Sequence, residues 1–154
     1  MKTKAEEIPE IIANLRRLFQ AINEYSRTAE KTTGLTGPQL WAIKLLANSG
    51  PIRVSDLARR MYLHPATVVG ILDRLEAKGM VTRTRSKEDR RAVEIDLTGL
   101  GKEMDASAPE VAQAMLVKGL EALPDDQFSH VVAGMEQMVR ILGAETIIPQ
   151  PLHS

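Results

Sequence analysis

Between Arg83 and Arg91 the chain reads RTRSKEDRR, five basic side chains in nine residues. Guanidinium groups stay charged at any physiological pH and match phosphate oxygens two at a time, so such a cluster is suited to holding a polyanion. The whole chain has 20 Lys plus Arg against 20 Asp plus Glu and a formal net charge of zero. Between Arg53 and Arg91, however, ten basic residues stand against five acidic ones, while the remainder carries ten and fifteen. A basic middle with acidic flanks suggests a polyanion-binding face, with the flanks kept for another task. A merely solvated charged surface is the competing reading, and spacing has to decide between them.

The second arrangement lies just upstream, in the helical pattern from Pro65 to Ala77. Val68, Ile71, Leu72 and Leu75 recur at helical spacing and must pack inward. The opposite face carries Ala66, Gly70, Asp73 and Ala77, with Thr67, Val69 and Arg74 beside them. A solvated helix usually fills such positions with long charged residues. Small ones allow close approach of something large, and a DNA major groove fits, although Gly and Ala also occur where helices pack together. His64 precedes Pro65 at a cap position, where it could donate to a phosphate or base, or simply face water. Arg74 has a similar choice between phosphate and an intrahelical pair, with phosphate favoured. The first two turns contain no Asn, Gln or Arg, so bidentate base reading is expected to be sparse. Ala66, Thr67 and Val69 can instead touch thymine methyls.

Other chemistries find little support. The chain has no cysteine, which excludes a disulfide framework, a thiolate metal site and a cysteine redox switch. His64, His130 and His153 are far apart, and H-E-x-x-H, G-x-S-x-G and G-x-G-x-x-G spacings do not occur. Thr98-Gly-Leu-Gly-Lys102 has a phosphate-loop flavour, but Asp96 stands where that loop needs its first glycine. No catalytic residue, metal ligand set or cofactor is therefore assigned. Aromatic content of 3% offers few stacking platforms for single-stranded RNA. The N-terminal MKTKAEEIPE is charged rather than signal-like, and no apolar run approaches the roughly 20 residues of a bilayer span. A soluble, cytoplasmic protein with no membrane association is the expectation.

These residues must be positioned by surrounding elements. Ile8, Ile11, Ile12, Leu15, Leu18, Phe19, Ile22 and Tyr25 form one apolar stripe on a long helix from about Ala5 to Glu30. Thr36 and Gln39 predict a capping box opening a second helix, with Leu35 packing on Leu40, and Asn48-Ser49-Gly50-Pro51 closes it. Ile52–Val54 is short and extended, and Ser55 is expected to cap a small helix over Asp56–Met61. Pro65 opens the next helix and Gly79 ends it. Val81–Arg85 and Ala92–Leu97 alternate as strands around the Ser86–Arg91 loop. Held at that hairpin's tip, Lys87, Arg90 and Arg91 can reach phosphates or a narrow minor groove, and Asp89 is expected to orient an arginine through an ion pair. One helix is expected from Thr98-Gly99 to about Leu120, kinked at Pro109, and a last one after Leu123-Pro124 carries a stripe from Phe128 to Leu142. The resulting fold class is mainly α with a small β-hairpin wing.

From Leu63 to Thr98 the sequence LHPATVVGILDRLEAKGMVTRTRSKEDRRAVEIDLT resembles the MarR (multiple antibiotic resistance regulator) family of winged helix-turn-helix transcription factors. Asp73-Arg74-Leu75, Gly79 followed by Met80-Val81, Arg83, Asp89-Arg90-Arg91 and Leu97-Thr98 carry the resemblance. Thr36…Gln39 and Ser55-Asp56-Leu57-Ala58 extend it over about Leu35–Gly101, while the terminal helices are similar in layout only. The resemblance implies a homodimer on near-palindromic double-stranded DNA, usually a repressor, often released by a small aromatic or amphipathic effector. By position it implies that Pro65, Ala66, Thr67, Val69 and Gly70 enter the major groove, that Arg90 and Arg91 serve the wing with Asp89 as its brace, and that Ser55 lies near phosphate; His64, Arg74, Arg83, Arg85 and Lys87 join them as candidate DNA contacts. Arg83 would also anchor the hairpin base, and Arg85 departs from a frequent family proline, either as an added phosphate contact or as a solvated arginine.

The domain layout that follows is a dimerisation helix over 1–34, a winged helix-turn-helix over 35–100, dimerisation helices over 101–146 and a tail over 147–154. No effector site is legible; Trp41, Tyr25, Phe19 and Met104 are conceivable lining residues and more simply core. The alternative function is a winged helix used for protein contact without DNA binding, which would need no arginines at the wing tip.

Overall fold

The computed structural model describes residues Met1–Leu152; His153 and the end of the tail lie outside the described residues. The first helix, α1, spans Lys4–Thr33. It starts earlier than its apolar stripe because Thr3 and Glu6 form a capping box: the Thr3 N–H donates to the Glu6 carboxylate at 2.7 Å, and Thr3 Oγ1 accepts from the Glu6 N–H. That backbone donor, with the Thr3 hydroxyl, holds the Glu6 carboxyl below its ordinary pKa. The helix ends at Gly34, in the left-handed region at φ 73°, whose N–H donates to the Glu30 carbonyl.

A compact centre follows. Helix α2 (Gly37–Ser49) opens with the expected reciprocal cap: the Gln39 N–H donates to Thr36 Oγ1 and the Thr36 N–H to Gln39 Oε1. Strand β1 (Ile52–Arg53) leads directly into α3 (Val54–Met61). The cap expected at Ser55 is not there. Arg53 is the N-cap, extended at ψ 151° because it still pairs with Glu94, so Ser55 lies in the helix's first turn. Helix α4 (Pro65–Ala77), strands β2 (Val81–Arg85) and β3 (Val93–Leu97) complete the helix-turn-helix and wing. The short extended piece joins the hairpin, giving an antiparallel sheet in the order β1-β3-β2 with Ile95 opposite both Ile52 and Arg83.

The core is continuous from α2 to the sheet. Leu35, Leu40, Ile43, Leu46, Leu57, Leu72, Leu75 and Ile95 are fully buried, each contributing about 1.5–3 kcal/mol of transfer free energy. The helix expected from Thr98 to Leu120 is two helices, α5 (Gly99–Ser107) and α6 (Ala112–Glu121). Pro109 lacks an N–H and forces its predecessor out of the helical region, so Ala108 sits at φ −70°, ψ 139°. The non-helical link drops Val111 into the core. Thr98 fastens α5 to the sheet: its N–H donates to the Met80 carbonyl, its hydroxyl to the Gly79 carbonyl, and Oγ1 accepts from the Gly101 N–H.

The ends of the chain are different. Among the described residues, α1 buries only Ser26 and Ala29, and the last helix, α7 (Asp125–Ile141), buries none. Ile8, Ile11, Leu18 and Phe19 on α1, and Phe128, Val131, Val132 and Met135 on α7, are exposed. No helix among the described residues is long and apolar enough to cross a membrane.

Candidate nucleic-acid interface

Helix α4 begins where the chain leaves α3 through Tyr62, a left-handed residue at φ 55° that turns it sharply. His64 is its N-cap: the ring Nδ1 accepts the Ala66 N–H at 3.1 Å. A neutral imidazole that accepts at Nδ1 carries its proton on Nε2 and keeps that donor free. The cap is therefore the role observed for His64. Pro65 occupies the first turn, where its missing N–H is harmless. Val68, Ile71, Leu72 and Leu75 are buried, Thr67 is half-buried, and Ala66, Val69, Gly70 and Arg74 are exposed. The outward surface therefore has little side-chain bulk, and an added Cβ at Gly70 would meet nothing within 4 Å.

Two carboxylates on this helix tie it to the wing. Arg83 on β2 donates to Asp73 Oδ1 at 2.5 Å, and its Nε lies 3.6 Å from Glu76 Oε2. The Arg83 side chain is only 24% exposed. Its guanidinium is engaged on α4 and joins the wing to the helix, the anchor role expected of it, rather than standing free for the DNA contact also expected there. Because Asp73 takes Arg83, Arg74 is left without a carboxylate partner among the described residues.

The wing tip is fixed by backbone turns. Ser86, 3% exposed, accepts the Glu88 and Asp89 N–H groups on Oγ, while its own N–H donates to the Ala92 carbonyl. Asp89 Oδ1 accepts the Arg91 N–H at 3.0 Å, and the Ala92 N–H donates to the Asp89 carbonyl. The ion pair expected of Asp89 is replaced by this Asx turn, in which the short side chain reaches a backbone donor two residues on more readily than a mobile guanidinium. Arg85, Lys87, Arg90 and Arg91 are exposed and have no ion-pair partner among the described residues.

Beside the loop end of the hairpin, a cleft of about 300 Å³ brings together Arg53, Val54, Ser55, Asp89, Arg91 and Val93. Ser55 stands in the first turn of α3, and among the described residues no side chain caps that helix. The first turn of α3, Arg53 and Arg91 thus border one cleft, together with the acidic Asp89. Arg53 was not singled out from the sequence. The strand pairing of Arg53 with Glu94 brings it here, and a two-residue strand leaves almost no periodic signal. Arg59 pairs with Asp56 one turn along α3 and faces away from this role.

The sequence pattern of the MarR family matches residues 35–93. The HTH-type transcriptional repressor MdtR of Bacillus subtilis is 31% identical over 143 residues, covering 89% of this chain and 90% of the relative. The chain belongs to the MarR family. Among solved structures, the YusO protein of Bacillus subtilis is 29% identical with a TM-score of 0.56, covering 88% of this chain and 99% of that one. Reduced AbfR bound to DNA is 26% identical at a TM-score of 0.54, covering 90% and 93%. As a MarR-family member the protein is a winged helix-turn-helix transcriptional regulator, and an enzymatic role is set aside.

Two further concavities adjoin this MarR-type centre. Leu18, Ile22, Tyr25, Met115, Leu116 and Leu120 line an apolar groove of about 460 Å³ between α1 and α6. A second cleft, about 400 Å³, lies between α2, the end of α3 and α6, lined by Trp41, Asn48, Arg60, Tyr62 and Lys118 among others. Of the four residues considered for an effector, Trp41 lines the second cleft and Tyr25 the first. Phe19 is exposed and Met104 packs against the core. No cluster of His, Asp and Glu capable of holding a metal occurs among the described residues.

Proposed function

We propose that this chain is a homodimeric, cytoplasmic repressor that binds a near-palindromic DNA operator and is released by a small aromatic or amphipathic effector. The observation that carries the reading is the distribution of ion pairs. Arg83 is consumed in joining wing to helix, whereas Arg74, Arg85, Lys87, Arg90 and Arg91 are left exposed on those two joined elements. The MdtR relative is named a repressor and AbfR was solved on DNA, which supports the same direction. His64 to Gly70 would enter the major groove and the wing arginines would follow the backbone or minor groove, with Ser55 and Arg53 on a phosphate. With few bidentate readers on α4, specificity rests on apolar contacts and groove shape, favouring A·T-rich flanks. Mainly G·C readout in a footprint would contradict that.

The uncovered stripes of α1 and α7 and the apolar α1–α6 groove support dimerisation through 1–34 and 101–146, since apolar patches of this kind mark interfaces. Two copies would then address half-sites about one helical turn apart. The Trp41–Tyr62 cleft suits the effector: aromatic rings 6.4 Å apart, with Arg60 and Lys118 at hand for an anionic group.

The test is fluorescence anisotropy on DNA selected from genomic fragments, over a salt series, for the native chain and Arg90→Ala/Arg91→Ala. Log affinity should fall by about 0.9 per log salt for each neutralised phosphate, and the double variant should bind more weakly with a shallower slope. Binding indifferent to both salt and these arginines would favour the protein-contact alternative.

A further inference from the structure

The residues after α7 fold back onto the DNA-binding centre. Gly143, left-handed at φ 63°, closes the helix with a Schellman pair: its N–H donates to the Arg140 carbonyl and the Ala144 N–H to the Val139 carbonyl. A turn follows, with the Ile147 N–H donating to the Ala144 carbonyl. Pro149 and Pro151 then keep the segment extended, because each fixes its own φ and restricts the preceding residue. This returning strap reaches the first turn of α2, where a Cβ built on Gly37 would lie 3.8 Å from the Leu152 carbonyl oxygen. Gln150 and Pro151 stand across a cleft of about 250 Å³ from Thr36, Gln39, Thr67, Gly70 and Arg74. Three of those five, Thr67, Gly70 and Arg74, are residues placed above on the DNA-binding face of α4.

We propose that the C-terminal strap is an autoinhibitory element, competing in cis with DNA for the Thr67–Gly70–Arg74 flank of the recognition helix. The proposal rests on the DNA-binding reading of α4. A duplex seated on that flank needs the space that Gln150 and Pro151 border, so the strap must swing away first. It is held lightly: Ile147 and Ile148 are mostly exposed and Leu152 is only partly covered, while the prolines limit the conformational entropy gained on release. The closed form therefore outweighs the open one only modestly. When the competent state is fractionally populated, apparent affinity falls by that fraction, here about two- to tenfold. Residues Ile147–Leu152 carry no charge, so opening the strap changes affinity without changing the number of phosphates neutralised.

The experiment uses the full chain with Gly37→Cys/Leu152→Cys, the only cysteines in the protein. A side chain at position 37 meets only ordinary contacts, and the oxidised and reduced forms of one preparation control for folding. Oxidation should close an intrachain disulfide and weaken operator binding at least about tenfold, with full recovery on reduction. In the reduced native background, Pro149→Gly/Pro151→Gly should bind about two- to fivefold more tightly with an unchanged salt slope. A disulfide that does not form, or forms between two chains, overturns the cis contact. Equal affinity of the oxidised and reduced forms, with the native chain binding DNA, overturns the competition. If the native chain binds no DNA with salt dependence, the underlying reading fails first and the strap with it.

Discussion

Arg83→Ala tests whether this arginine works as a brace or as a DNA contact. In the native structure its guanidinium neutralises Asp73 at 2.5 Å and lies 3.6 Å from a Glu76 oxygen, both on the helix proposed to enter the groove. Removing it leaves two carboxylates facing phosphates. At about 7 Å, each carboxylate–phosphate pair costs about 0.6 kcal/mol in bulk water and about 2.4 kcal/mol at an effective dielectric of about 20. Screening at physiological salt, with a Debye length of about 8 Å, removes roughly half of that. Two unmasked carboxylates then cost about 1 kcal/mol or somewhat more, so operator affinity should drop about five- to tenfold. The fold itself loses less, about 0.5–1 kcal/mol, because both acidic partners are substantially exposed. The assay is a double-mutant cycle in anisotropy with Asp73→Asn, alongside thermal melts of each variant. If Arg83 acts by masking Asp73, Asp73→Asn restores much of the affinity lost in Arg83→Ala, and the effects are non-additive by about 0.5 kcal/mol or more. Independent, additive losses would refute the brace and put Arg83 on a phosphate.

Two further outcomes are expected. Met135→Glu, in the exposed stripe of α7, should shift the proposed dimer towards monomer in sedimentation velocity and weaken operator binding, while leaving the helical content measured by circular dichroism unchanged. Gly101→Ala would place a Cβ 2.2 Å from the Met80 carbonyl oxygen, a backbone overlap no rotamer can relieve. It should destabilise the protein by about 1–3 kcal/mol and lower Tm by several degrees, about 2–4 °C per kcal/mol at this size.

What could be read from the sequence follows from which interactions are local. The Thr36–Gln39 box, the His64-Pro65 helix start, the Gly79 stop and the hairpin strands are set by residues within a few positions of one another, and the structure has each. The Ser55 cap failed because strand pairing with Glu94, more than forty residues away, holds Arg53 extended and moves the helix start forward. The break at Pro109 was read as a kink because helical periodicity continues on both sides. The backbone requirement of the preceding residue, together with the pull of the core on Val111, opens it fully. Asp89 was assigned the right neighbourhood and the wrong partner, since backbone and side-chain donors of the same arginine are indistinguishable in a string of letters. The return of the tail onto α2 and α4 had no sequence signal beyond a glycine and two prolines.

The basic window of the chain divides its cations by what its acidic residues hold. Asp56 takes Arg59, Asp73 and Glu76 share Arg83, and Asp89 is turned onto the backbone of Arg91; the fifth, Glu88, is exposed at the wing tip and in no ion pair among the described residues. The first four carboxylates shape the scaffold: they fix a helix surface, a helix-to-wing angle and a turn. Of the cations they leave over, Arg60 lines the Trp41–Tyr62 cleft, while Arg74 on the helix and Arg85, Lys87, Arg90 and Arg91 on the wing stand exposed and unpaired among the described residues. Lys78 is excluded from that set, because its ammonium donates to the Gly34 carbonyl at 3.1 Å and fastens α4 to the end of α1. Exposed, unpaired cations gathered on two joined elements repel one another, which fits the polyanion proposed as their partner. The salt dependence of binding should accordingly track these unpaired cations, together with Arg53, and should change little on removing Arg59 or Lys78, although composition alone counts them all alike.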